Sequence, residues 1–163
     1  MIQGDLFPEQ LEQTYRAGDC FDMSAPPLRI KECDKFWVNQ NKKRIDFLLD
    51  LPKDLYYIFR DVGGKPAIFN KKMGKYLTPS YSRDIYPAIR FKGKTFYIHT
   101  LVAIFFLENT LPQVKCMVDH INHDPWDYSI DNLEWVSCSE NTKRGKREDR
   151  PLHGFNRQTG KTL

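Results

Sequence analysis

The sequence has few cysteines and no long apolar run, and these two absences exclude several classes of protein. Its four cysteines include no Cys-x-x-Cys pair, the spacing typical of structural zinc sites. We therefore expect reduced thiols in an intracellular protein. The longest apolar run covers only residues 101–107, whereas about 18 residues are needed to cross a bilayer. The amino terminus also lacks the basic-then-apolar pattern of a secretory signal, so we expect a soluble, cytoplasmic protein with no membrane partner.

Acidic residues are scarce between positions 60 and 100, and basic residues are scarce between 101 and 141. The first segment has nine basic and two acidic side chains, and the second has one basic and seven acidic. Residues 142–163 are basic again, with seven against two. Basic segments attract a nucleic acid through counterion release, while clustered carboxylates suit a divalent cation. Solvated faces are the alternative for the basic runs, but the alternation favours a nucleic-acid enzyme over a plain binding module.

The pattern of apolar residues and turns predicts the α+β class. An antiparallel β-meander begins near residue 55 and is followed by an apolar helix over 99–107, which we expect to be buried. A short helix is predicted over 39–51, closed by Pro52, with Ile45, Leu48 and Leu49 on one face. We divide the chain into four parts: 1–54, of unclear role; 55–110, the meander and helix; 111–147, the motif analysed below; and 148–163, a basic tail.

Glycine-containing turns in the meander carry clusters of basic residues, and the turn at 92–94 is a strong hairpin signal. We expect these turns to dock on a DNA backbone, where contacts position a duplex without reading its sequence. A second basic cluster follows the motif on its predicted helix. The DNA-binding residues predicted in this way are Lys71, Lys72, Lys75, Arg90, Lys92, Lys94, Lys143, Arg144, Lys146 and Arg147.

One stretch, residues 118–141, contains the candidate catalytic and metal-binding residues of the chain. It reads VDHINHDPWDYSIDNLEWVSCSEN. Asp119 and His120 end a short apolar strand, Asn132 lies twelve positions after the histidine, and Asn141 lies nine further on. Adjacent strand residues point to opposite faces, so a bend or bulge at the Asp-His pair is expected if both serve one centre.

A second strand is predicted over 133–136, directly before a Ser137-x-x-Glu140 capping box. A helix should therefore begin at about Cys138, which places Asn141 in its first turn. The segment as a whole predicts a compact ββα unit.

These residue types suit the hydrolysis of a phosphodiester. A neutral imidazole can take a proton from water near pH 7, which fits His120. The carboxylate of Asp119 and the amide oxygen of Asn141 are hard ligands for Mg²⁺ or Mn²⁺, and such an ion stabilises the negative charge that develops on the phosphate. With two protein ligands, water and substrate must complete the coordination of one ion.

Two other histidines have alternative interpretations. His99 starts the apolar helix, and we interpret it as a residue hydrogen-bonded at a helix N-terminus, with a catalytic role as the alternative. His123 is interpreted as an exposed loop residue, with an extra metal ligand or a DNA contact as the alternatives.

Residues 118–141 resemble the HNH (ββα-metal, His-Me finger) nuclease motif, in the variant whose last histidine is an asparagine. The spacing resembles that of phage intron-encoded or free-standing HNH homing endonucleases. Upstream, YIHTLVAIFF is similar to their H-x-LVA-x-x-F segment, so the resemblance extends over about 55–147. It implies that Asp119 and Asn141 bind the metal, His120 is the general base and Asn132 supports the site.

The resemblance further implies double-stranded DNA as the substrate, cut to leave a 5′-phosphate and a 3′-hydroxyl. We expect one Mg²⁺ or Mn²⁺ ion per active site, no obligate protein partner, and a phage-infected or bacterial host cell. Many relatives have glycine at the position of His123, so the turn there is expected to differ. The alternatives are a DNA-binding protein of the same fold that has lost catalysis, and a ribonuclease or small metal-binding module.

Overall fold

The fold was taken from a computed structural model, which describes residues 18–24, 36–52, 55–81, 86–111, 114–145, 155–156 and 161–162. The strands are β1 (Cys20–Asp22), β2 (Tyr56–Phe59), β3 (Ala67–Asn70), β4 (Lys75–Tyr76), β5 (Ser80–Tyr81), β6 (Pro87–Phe91), β7 (Lys94–Tyr97), β8 (Lys115–His120), β9 (Leu133–Ser137), β10 (Phe155–Asn156) and β11 (Lys161–Thr162). The helices are α1 (Phe36–Leu49), α2 (Ile98–Phe106) and α3 (Cys138–Gly145), with a 3₁₀ turn at Ile130–Asn132. The predicted α+β class is confirmed. In the described part of the chain no helix is long and apolar enough to cross a membrane.

The strands of the predicted meander are divided between two antiparallel sheets. One has the order β1-β2-β3-β4, and the other has the order β5-β6-β7. The edge strand β1 comes from the segment 1–54, where no strand was predicted, and it pairs with β2. The strands β8 and β9 form a separate two-stranded sheet, as do β10 and β11.

The hairpin predicted at 92–94 is confirmed. Phe91 pairs with Lys94, which leaves Lys92 and Gly93 as a two-residue loop. Their φ angles are 45° and 80°, and positive φ at both central residues is the signature of the type I′ turn, whose twist matches that of the strands. Gly93 adopts its positive φ without the steric cost that a Cβ atom would bring.

Of the three apolar residues predicted to share one face of the helix α1, two are buried. Ile45 and Leu48 are buried, but Leu49 is 38% exposed, so the placement of Leu49 on the buried face was wrong. The chain turns immediately after the helix, with the N–H of Leu51 donating to the carbonyl of Leu48. Leu51 thereby enters the core, where Leu49 was expected.

The prediction of a buried helix before the motif is confirmed by α2. Every residue from Ile98 to Phe105 is buried, and the helix belongs to one apolar cluster that also includes Ile45 of α1, Ile58 of β2 and Trp135 of β9. The indole Nε1 of Trp135 donates to the carbonyl oxygen of Leu107 at 3.3 Å. The β8–β9 unit is therefore fixed to the end of α2.

Candidate active site

The strand β8 delivers the predicted Asp-His pair to opposite faces of its hairpin with β9. Asp119 lies opposite Glu134, and His120 lies opposite Leu133. The irregularity in this ladder lies between Lys115 and Met117, so the bend or bulge expected at the Asp-His pair was wrong. Because the ladder is regular up to His120, the Asp119 side chain reaches α3 and the His120 ring enters the interior.

The predicted capping box is confirmed, and it fixes the start of α3. The N–H of Ser137 donates to Oε2 of Glu140 at 2.7 Å, and the N–H of Glu140 donates to Oγ of Ser137 at 3.2 Å. Asn141 follows in the first turn, half-buried, with its Nδ2 donating to the sulfur of Met117 at 3.7 Å. This contact holds the predicted amide ligand against β8.

Asn132 is buried and ties together the loop that follows His120. Its Nδ2 donates to Oδ1 of Asn122 at 2.9 Å and to the carbonyl of Asp127 at 2.6 Å, while its Oδ1 accepts from the N–H of Asn122 at 2.9 Å. Its carbonyl accepts a further bond from the N–H of Ile121. These hydrogen bonds fix the conformation of the loop between β8 and β9.

The same loop contains His123 in a conformation suited to glycine. Its φ angle is 62°, in the left-handed region that residues with a Cβ atom seldom adopt. The N–H of His123 donates to the carbonyl of His120 at 3.0 Å, which closes a tight turn directly after the predicted base. The backbone therefore has the glycine-type conformation although the residue is a histidine.

His120 lies inside a cluster of aromatic rings and is only 5% exposed. Tyr86 stacks on it at 5.8 Å with an interplanar angle of 18°, and His99 meets it edge-on at 4.9 Å. Within the described residues its Nε2 has no hydrogen-bond partner. Burial lowers the pKa of His120, against the opposing effect of the Asp119, Asp124 and Asp127 carboxylates. The ring is thus neutral at pH 7, the form that accepts a proton.

His99 is a second buried histidine, and it contacts the first. Its ring stacks on Tyr97 at 5.7 Å, and its Nδ1 is buried with no partner in the described part of the chain. That atom does not make the hydrogen bond expected at the helix N-terminus. Burial, followed by the charges of His120 and Arg44, lowers the pKa of His99 to about 3.

Asp119 is engaged by an arginine from α3. Oδ2 of Asp119 lies 3.1 Å from Nη1 of Arg144, and the same nitrogen lies 2.5 Å from Oε1 of Glu134. These bonds, the one to Glu134 first, raise the pKa of Arg144. Sequence reasoning missed Glu134, which shares Arg144 with Asp119, and Tyr86, which stacks on His120. Neither residue is close in sequence to its partner in the site.

The predicted DNA-binding residues occupy three places. Exposed Lys71 and Lys72 are in the β3–β4 turn and exposed Lys75 begins β4. Arg90, Lys92 and Lys94 are exposed on the β6–β7 hairpin, with Nζ of Lys94 4.4 Å from the ring centroid of Phe47. Lys143 is exposed on α3 and Arg144 is half-buried; Lys146 and Arg147 lie outside the described residues.

The donors at the predicted metal position fit a hard cation. Across the described residues, no three histidine, cysteine, aspartate or glutamate side chains are grouped to hold a metal ion. Asp119 and Asn141 nevertheless offer a carboxylate and an amide oxygen, the donor types that Mg²⁺ and Mn²⁺ prefer. The Asp119 carboxylate already binds a cationic group, the guanidinium of Arg144.

The segment that contains α2, β8, β9 and most of α3 has known relatives. Residues 96–143 match a family model described as HNH endonuclease. Over this segment, the chain is similar to HNH endonucleases. The match begins at Phe96, so it is shorter than the resemblance expected over 55–147, and most of the basic meander precedes it.

Two uncharacterized HNH endonucleases of Acanthamoeba polyphaga mimivirus are similar to parts of the chain. One is 50% identical over 46 residues, which are 28% of this chain and 12% of the relative. The other is 33% identical over 78 residues, which are 45% of this chain and 23% of the relative. The chain therefore spans less than a quarter of either relative. No solved structure matches the chain.

Proposed function

We propose that this protein is a metal-dependent endonuclease that hydrolyses phosphodiester bonds of double-stranded DNA, as a homing-type enzyme that nicks or cuts both strands. The observation that carries the proposal is the HNH family match over residues 96–143. Within that segment Asp119 and His120 end β8, Asn132 anchors the following loop, and Asn141 lies in the first turn of α3.

His120 is the proposed general base. Its neutral imidazole takes a proton from a water molecule, the water oxygen forms a bond to phosphorus, and the bond from phosphorus to O3′ breaks. The leaving O3′ oxygen takes a proton from solvent water, which gives a 3′-hydroxyl beside the 5′-phosphate, and the imidazolium then returns its proton to solvent. Asn132 positions His120 indirectly, because it fixes the loop that the base precedes.

Asp119 and Asn141 are the proposed ligands of one Mg²⁺ or Mn²⁺ ion. When bound, such an ion stabilises the charge on the phosphate and on the leaving oxygen. Asp119 would supply a charged oxygen ligand and Asn141 a neutral one. The contact of the Asn141 amide nitrogen with the sulfur of Met117 fixes the orientation of the Asn141 amide. The exposed lysines of the β3–β4 turn and of the β6–β7 hairpin support docking of the duplex.

Cleavage of supercoiled plasmid DNA in Mg²⁺ or Mn²⁺ tests this function, with His123→Ala as the matched control for His120→Ala. Both residues are histidines of one turn, but only His120 is buried among the rings. We expect His120→Ala to lower the cleavage rate by about 10²- to 10⁴-fold, the usual contribution of a general base, and His123→Ala to retain most of it.

Three outcomes would contradict the proposal in different ways. Wild-type cleavage that persists in EDTA would exclude a requirement for a metal ion. Unchanged cleavage by His120→Ala would exclude His120 as the general base. DNA binding without cleavage in any divalent metal would favour the alternative, a DNA-binding protein of the same fold that has lost catalysis.

A further inference from the structure

A single cationic nitrogen bridges two carboxylates beside the proposed metal position. Nη1 of Arg144 is 3.1 Å from Oδ2 of Asp119 and 2.5 Å from Oε1 of Glu134. Asp119 and Glu134 are direct cross-strand partners, so their side chains leave the hairpin on the same face. The helix α3 carries Arg144 in its last turn and places it over that face. One guanidinium is therefore the counter-ion of both acidic groups.

Both oxygens of the Asp119 carboxylate are in use. Oδ1 accepts from the backbone N–H of His120 at 3.0 Å, and Oδ2 accepts from Arg144. A Mg²⁺ ion takes its ligand oxygens at about 2.0–2.1 Å, which brings it close to a guanidinium that binds the same carboxylate. The two positive charges repel each other, and they do so more strongly in partly buried surroundings than in water.

We propose that Arg144 is the counter-ion of the metal-free site, and that a divalent cation competes with it for Asp119. Glu134 has the shorter contact with Arg144 and has no place among the proposed ligands. It therefore keeps the guanidinium beside the site after Asp119 has changed partner, where its charge attracts a DNA phosphate. The inference rests on the proposed role of Asp119 as a metal ligand.

The exposure of these side chains suits an exchange of partners. Asp119 is 17% exposed, Arg144 30% and Glu134 35%, so solvent and ions reach all three groups. Ion pairs between partly exposed side chains add little to stability. The bond between Arg144 and Asp119 can thus be broken by a divalent ion without loss of the fold.

The affinity of the DNA-free protein for Mn²⁺ tests the competition, measured at low salt from the electron paramagnetic resonance signal of unbound Mn²⁺. Arg144→Met removes the positive charge that is proposed to compete with the ion. The control, Lys143→Met, also removes one positive charge, but from the neighbouring, exposed position of α3. We expect Arg144→Met to bind Mn²⁺ about five- to tenfold more tightly than Lys143→Met does. Equal affinity in the two variants, or weaker binding by Arg144→Met, would overturn the inference.

The role of Glu134 has its own readout, the order of the Arg144 Nε–H group in nuclear magnetic resonance spectra during a Mg²⁺ titration. In the wild type this group should shift and remain ordered, because Glu134 retains it. In Glu134→Gln it should lose order when Mg²⁺ is added, and in Asp119→Asn it should not respond. Retained order in Glu134→Gln would overturn the role of Glu134, and thermal melting checks that each variant is folded.

These measurements contain no DNA, so they separate the inference from the proposed function. A protein that shows the expected order of Mn²⁺ affinities supports the inference even if it fails to cleave DNA, a result that contradicts the function alone. A protein that cleaves DNA but shows no difference between Arg144→Met and Lys143→Met overturns the inference alone.

Discussion

At the scale of single residues, His99 links the interior of the molecule to its proposed base. Burial is the main cause that lowers the pKa of His99 from its ordinary value of 6.5 to about 3, and the charges of His120 and Arg44 act in the same direction. Protonation therefore favours the unfolded chain. The stabilising effect of the neutral ring is complete above the unfolded pKa and is lost as the pH falls from about 6.5 towards about 3.

A comparison of wild type with His99→Phe tests this dependence. Phenylalanine keeps a ring among Tyr86, Tyr97 and His120 but cannot be protonated. The wild type should lose up to about 1.4 kcal/mol of unfolding free energy per pH unit in this range through His99, and the variant should lose less. Urea unfolding at pH 7 and pH 5 measures the difference; an identical loss in both proteins would contradict the buried, neutral state of His99.

Single residues also show where prediction from sequence ends. The proposed site residues Asp119, His120, Asn132 and Asn141 could be predicted because they lie within one continuous segment, where their types and spacing are visible in the sequence. Glu134 was missed because its position opposite Asp119 depends on the register of β8 against β9, which the sequence does not show. A shift of one residue would have turned Glu134 to the other face of the hairpin.

At the scale of elements, the capping box of α3 connects local sequence to the proposed metal position. The hydroxyl of Ser137 accepts from the N–H of Glu140, one residue before Asn141. Loss of a serine cap costs about 1 kcal/mol, so Ser137→Ala should lower stability by that amount and loosen the first turn. Amide hydrogen exchange at Glu140 and Asn141 should accelerate with it.

The control for this substitution is Thr142→Ala in the same helix. The hydroxyl of Thr142 donates to the carbonyl of Cys138 at 2.8 Å, so it satisfies no open N–H at the helix start. Its removal should change stability by less than the removal of Ser137. If the two substitutions had equal effects on exchange at Asn141, the capping box would not be what orders this turn.

Elements with a local signal were predicted well, and elements defined by distant partners were not. The buried helix α2, the I′ hairpin and the start of α3 each follow from residues within one turn or one loop. The strand β1 exists only as a partner of β2, across the whole of α1. Its three residues carry no strand signal of their own, and the division of the meander into two sheets is likewise decided by tertiary packing.

At the scale of the whole molecule, the alternation of charge along the chain predicts how the proposed binding to DNA depends on salt. The module that contains the proposed base and ligands is acidic, and the meander before it is basic. A duplex held by lysines releases counterions, so its affinity falls steeply with salt. Measured in EDTA, binding should weaken at least about tenfold between about 50 and 200 mM salt.

The β3–β4 turn allows this docking surface to be tested with a matched control. Lys71 and Lys72 are exposed there, whereas Nζ of Lys65 donates to the carbonyl of Trp126 at 3.1 Å and lies over the ring of Tyr128. Lys71→Gln combined with Lys72→Gln should reduce the slope of log affinity against log salt by about 2, one for each phosphate contact. Lys65→Gln should leave the slope unchanged, because the Lys65 ammonium group contacts Trp126 and Tyr128 of the protein and is not expected to contact a phosphate. Fluorescence anisotropy with a labelled duplex measures both slopes, and a double variant with the wild-type slope would place the duplex elsewhere.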